Sequence, residues 1–215
     1  IQDQVDIKNT EDSLQPTTAA DHWILSKLQR LTDGVASDLN MYAFAEAYDK
    51  IYHFVWDDFA DWYIESSKTT PNHGVLKFSL ESILKICHPF APFVTETIWQ
   101  SLKWSTDLLI TSSWPVIPKS DTSHYKQFEE IKAIVTESRQ LTKTMGLQKP
   151  SLVHSSDLLE SNQELVQRLA KVGSITRAGK SDGLKFIGTS QNVWLEVNPT
   201  EMASYRDKLT EKLAT

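Results

Sequence analysis

Few side chains of this 215-residue chain stand where catalysis would need them. Asp57, Asp58 and Asp61 lie close enough in sequence to suggest paired carboxylates for acid–base work. They alternate with aromatics in FVWDDFADWYIESSK at 54–68, however, where acids ordinarily form the wet edge of a helix or accept hydrogen bonds from Trp and Tyr. The six histidines, at 22, 53, 73, 88, 124 and 154, show no paired ligand spacing, and zinc needs four grouped Cys, His or acidic ligands. His88 precedes Pro89, a position that suits an imidazole bonded to a backbone carbonyl at a kink better than a catalytic one. Its neighbour Cys87 makes no dyad with it, because successive residues on a helix point in different directions.

Other chemistries fail on composition. A phosphate loop crowds glycines ahead of a helix so that backbone amides can approach the anion, and the 7 glycines here are scattered. No serine stands in a Gly-x-Ser-x-Gly elbow. The single cysteine excludes an internal disulfide, and its apolar surroundings read as a buried thiol. On chemistry alone this is a binding or structural domain, without a metal site.

The formal charge of −6 is unevenly spread. Residues 1–115 carry 8 basic and 16 acidic side chains, whereas 116–215 carry 14 and 12. Any nucleic acid must therefore meet a local basic strip, because phosphate binding depends on where Lys and Arg sit. With 40% hydrophobic residues the chain can build a core, and no apolar run approaches the roughly 18 residues of a membrane span. The acidic, polar start has no signal-peptide pattern, so a cytoplasmic protein without a membrane partner is expected.

The elements that would position these residues read as mainly α. Residues 1–18 form a polar lead-in. A first helix begins at Asp21, taken as its N-cap, with Ile24, Leu28, Leu31, Val35 and Leu39 inward and Lys27, Arg30 and Asp33 outward. A second runs from about Ala43 to Ser67 with Phe44, Tyr48, Ile51, Val55, Phe59 and Trp62 on one face. Its aromatic second half needs neighbours on more than one side. A third helix carries Leu76 to Cys87 and ends or kinks at Pro89 and Pro92. A fourth, starting near Thr95, has Ile98, Trp99 and Leu102 inward. LLITSSWP at 108–115 reads as a short extended segment. The bundle thus occupies 19–115, and VIPKSDTS at 116–123 reads as the boundary. Residues 124–215 are a helix, His124 to Thr144, followed by a small α+β unit. In that unit the pattern predicts strands at 152–154, 174–177, 184–188 and 193–197, a helix over 157–170 capped by Asp157, and a closing helix capped by Thr200.

Three strings in this order and spacing carry a resemblance: ADHWILSKLQRL at 20–31, FVWDDFADWYIESSK at 54–68 and ILKICHPFAPFVTETIWQSL at 83–102. Together they resemble the helical anticodon-binding domain of class I aminoacyl-tRNA synthetases. The WDDFADWYIE string resembles the valyl branch in particular, and TSSWP at 111–115 is similar to the segment that closes the bundle there. The chain departs from that pattern where Thr142 replaces the second arginine of an Arg-x-x-Arg helix begun by Arg139, and no long coiled-coil hairpin precedes the end at KLTEKLAT. The class signatures His-Ile-Gly-His and Lys-Met-Ser-Lys-Ser are not in the sequence, nor is anything resembling the editing domain.

The resemblance implies a non-catalytic, monomeric fragment with no cofactor of its own, ATP being used by a longer parent ligase. Its implied partners are tRNA, valine-specific if the likeness holds, and the catalytic domain of the same chain. An anticodon loop presents splayed bases for stacking and phosphates for Lys and Arg. By similarity to the methionyl branch Trp62 would stack on a base, with a core role as the alternative. Lys27, Arg30 and Lys68 are candidate RNA contacts, each also readable as a solvated face, and Lys132, Arg139 and Lys143, at steps of seven and four, are candidates for touching the tRNA backbone. A bundle that only braces a larger synthetase is the competing reading.

Overall fold

A computed structural model describes residues 14–213. Most of the polar lead-in expected over 1–18 lies outside these residues. The described chain divides into two compact units between Lys126 and Gln127.

The first unit holds α1 (Ala19–Asn40), α2 (Phe44–His53), a wide π-type helix (Phe54–Ile64), the short α3 (Glu65–Ser67), α4 (His73–Cys87) and α5 (Pro92–Leu102). Thr18, not Asp21, caps α1; Asp21 is the third helical residue and completes a capping box. The buried stripe Trp23, Ile24, Leu25, Leu28, Leu31 and Val35 is the centre of this unit's core. Removing one such aliphatic side chain from water stabilises the fold by about 1.5–3 kcal/mol.

The second helical run is continuous but changes its winding at Phe54. The expected inner face was Phe44, Tyr48, Ile51, Val55, Phe59 and Trp62. The residues actually buried are Ala47, Ile51, Phe54, Phe59, Tyr63 and Ser66, while Phe44 and Tyr48 face solvent. A π-type turn bonds i to i+5 and holds more residues than an α turn, so a single α period cannot follow the inner face across the junction. Val55 and Trp62 end half-buried instead.

Asn72 caps α4 by accepting from the Val75 amide at 3.1 Å, which places Gly74 inside that helix. The helix ends at Cys87, and α5 starts on Pro92, where a missing amide costs nothing. Trp99 packs with Leu84 and Leu109 and donates its indole N–H to the Asp107 carbonyl at 3.0 Å. Ile98, expected inward, is exposed. His88 bonds the Thr95 hydroxyl at 2.8 Å, not a backbone carbonyl. Cys87 is half-buried, and burial pushes its thiol up to about 11. Residues 109–111 form a 3₁₀ turn where an extended segment was expected.

Helix α6 (Thr122–Met145) opens in the first unit; its Phe128, Ile131, Ile134 and Val135 are core residues of the second. That unit continues with β1 (Ser151–His154), α7 (Asp157–Glu160), α8 (Gln163–Ala170), β2 (Ser174–Arg177), β3 (Leu184–Lys185), β4 (Val193–Leu195) and α9 (Pro199–Leu213). The sheet order is β2-β1-β4-β3, with β1 and β2 parallel and the other pairs antiparallel. The single helix expected over 157–170 is two, interrupted at Ser161 and Asn162, and Ser156 rather than Asp157 caps the first. Asn198, not Thr200, caps α9, exchanging bonds with Glu201. The last two strands are shorter than the pattern suggested.

Candidate nucleic-acid interface

One carboxylate sets the position of the first unit's candidate residues. Asp21 Oδ2 accepts from the amides of Thr17 and Thr18 at 3.0 and 3.1 Å and from the Asn72 side-chain amide at 2.9 Å. Its Oδ1 accepts from the Tyr63 hydroxyl at 2.8 Å. Asp21 therefore joins the start of α1, the π-type helix and the cap of α4. Burial, and then Asp21 itself, hold the Tyr63 hydroxyl far above the ordinary phenol range, so it remains a donor.

Lys27 lies two turns along α1 and is half-buried, 3.2 Å from Asp58 and with its ammonium 5.4 Å from the Trp23 ring centre. Its charge is turned toward the π-type helix. Arg30, one turn further, is exposed. Its guanidinium lies 4.8 Å from the centre of the Tyr125 ring and donates to the Tyr125 hydroxyl at 3.1 Å. A neutral aromatic partner holds this planar cation in place and leaves its charge uncancelled by that contact.

Beside it His22 stacks on His124 with ring centres 4.7 Å apart, and His22 Nδ1 accepts from the Asp121 amide at 3.1 Å. Burial, followed by the charge of His124, lowers the His22 pKa. The Ser123 hydroxyl and amide hold Asp121 down at about 2. His22, His124 and Tyr125 were not among the residues singled out for RNA contact. Residues about a hundred positions apart give no sequence signal of their pairing, although an Arg on an outer helical face is a reason to look for an aromatic beside it.

Trp62 is half-buried on the π-type helix, and its carbonyl accepts from Ser66 Oγ at 2.7 Å. Lys68 is exposed just beyond α3 and ion-paired with Glu65. The other three candidates lie on α6 in the second unit. There Lys132 is half-buried, Arg139 Nε donates to the Leu169 carbonyl at 2.7 Å, and Lys143 is exposed in the last turn. Arg139 thus has one of its donors committed to the end of α8. Among the described residues no group of three or more His, Cys, Asp or Glu is arranged to hold a metal, and no helix is long and apolar enough to cross a membrane.

The family described as the anticodon-binding domain of tRNA ligase matches residues 21–155, from the first turn of α1 to just past β1. The chain belongs to this family. All seven candidate contacts fall within the part that matches the anticodon-binding domain. Among curated proteins, the valine–tRNA ligases of Staphylococcus aureus strains JH9, Newman and JH1 are each 36% identical over 154 residues, 64% of this chain. The match spans only 18% of the length of each of those relatives.

Proposed function

We propose that this anticodon-binding domain is the tRNA-holding part of a valine–tRNA ligase, presenting the anticodon stem and loop while a catalytic domain outside this sequence charges the acceptor end. The family match over residues 21–155, joined to relatives named as valine–tRNA ligases, carries this reading. The chain itself activates no amino acid and takes no ATP; pyrophosphate exchange by the isolated chain would contradict that. It acts as a monomer in the cytoplasm.

In this reading Arg30 is the leading contact, because a guanidinium fixed over an aromatic ring is poised for a phosphate or a base edge. Lys68, Lys132, Arg139 and Lys143 add phosphate contacts, and Trp62 offers part of its ring for stacking. Lys27, held by Asp58, serves chiefly to hold α1 against the π-type helix. The test compares binding of valine tRNA with that of the same tRNA carrying an unrelated anticodon. Tighter binding of the valine anticodon supports base readout, and equal binding would limit the domain to backbone contacts.

A further inference from the structure

Phe44, Tyr48, Tyr52 and Trp56 recur at every fourth position along α2 and into the π-type helix, and all four are about half exposed, at 54%, 55%, 48% and 57%. On an α-helix a step of four residues advances the position by about 40° around the axis, so such a row should wind away. The wider turn that begins at Phe54 holds more residues and opposes this drift. The same change of winding that displaced the inner face thus keeps Trp56 beside Tyr52. Tyr52 and Trp56 lie 6.4 Å apart, and Tyr48 lies 6.3 Å from Phe90.

The row beside this ridge is acidic. Asp49, His53 and Asp57 follow the aromatics by one position each, and His53 bridges the two carboxylates at 3.5 and 2.7 Å. Glu46 and Asp61 extend the negative charge at either end. RNA would bring phosphates against this row. A second copy docked through the same face would bring a second acidic row and no row of cations. The acidic segment at 1–16 has the same sign of charge. The complement is an apolar ridge with positive flanks.

We infer that the Phe44–Tyr48–Tyr52–Trp56 ridge is a protein-docking face whose occupant is an amphipathic helix with Lys or Arg flanking its apolar side. A row at i, i+4, i+8 is the ridge that seats in the groove of a second helix crossing at about −50°. The acidic row then meets the partner's cations and sets its orientation. The ridge shares no residue with the Arg30–Tyr125 pair, so RNA and helix would be bound by different residues of one unit.

The test uses the full chain and two stapled 20-residue helices with the same Leu and Ile ridge, one with Lys flanks and one with Glu flanks. Titration followed by Trp fluorescence should show the Lys-flanked helix binding at least tenfold more tightly. That preference should shrink at 0.5 M NaCl, and the combined Tyr52→Ser, Trp56→Ser variant should lose binding while retaining its far-UV circular dichroism. Failure of both helices to bind up to 1 mM, or equal affinity for the two, would overturn the inference. So would a concentration-dependent dimer abolished by the double variant, which assigns the face to a second copy. Loss of anticodon stem-loop binding in that folded variant would assign it to RNA and overturn the inference as well.

Discussion

The Tyr63 hydroxyl donates to Oδ1 of Asp21 across 2.8 Å in the interior of the first unit, 42 residues away in sequence. Because Asp21 also completes the capping box of α1 and accepts from the cap of α4, this bond fixes three helical elements at one point.

Tyr63→Phe should therefore destabilise the chain by about 1.5–3 kcal/mol, the range for a hydrogen bond to a charged group. Asp21→Ala should cost more, since it leaves the Tyr63 hydroxyl buried without its acceptor as well as removing the cap bonds. Urea denaturation monitored by circular dichroism reads both. A Tyr63→Phe midpoint equal to that of the wild type would show that the bond adds nothing.

The stacked histidines predict acid sensitivity. The His22 pKa is lowered from 6.5 by burial and by His124, so the unfolded chain takes up a proton there before the folded chain does. Stability from this site is complete above about pH 6.5 and declines as the pH falls through the lowered folded value. His154, lowered first by burial, acts in the same direction. Protonated His22 also cannot accept the Asp121 amide. Thermal melting between pH 7.5 and 5 should show a decline that His22→Gln reduces; an identical decline in that variant would exclude His22 as its source.

Cys87 is expected to be slow toward alkylation. A thiol raised from 9.0 to about 11 by burial presents roughly 100-fold less thiolate near neutral pH. Iodoacetamide labelling followed by mass spectrometry should give a rate at least tenfold higher in urea than in the native chain. Equal rates would mean that the thiol is not sheltered.

Much of this architecture is legible in the sequence where one period holds. The α1 stripe from Ile24 to Val35 and the α6 stripe from Phe128 to Val135 are α-helical throughout, and both appear as the pattern predicts. The pattern misleads where winding changes: seven large apolar residues in eleven give no sign that Phe54–Ile64 is π-type, and Phe44 and Tyr48, expected inward, face solvent while Phe54 and Tyr63 are buried. Caps shifted by two or three residues, from Asp21 to Thr18 and from Thr200 to Asn198, because several residues near each helix start can accept the same amides. Of the two cations expected on the outer face of α1, Arg30 is exposed and Lys27 is half-buried with its charge turned toward Asp58; as cations of one helix both were legible. Their partners Asp58 and Tyr125 were not, since pairing at long sequence separation is a property of packing.

If RNA meets Arg30 where it lies over Tyr125, the affinity of the chain for a valine anticodon stem-loop as a function of salt reads that contact directly. The affinity should fall as salt rises from 50 to 200 mM. Arg30→Ala should weaken binding and reduce the slope of log affinity against log salt by about one. Arg30→Lys should restore the slope without restoring full affinity, because an ammonium keeps the charge and loses the planar fork. Binding that Arg30→Ala leaves unchanged in both affinity and slope would show that RNA does not meet Arg30.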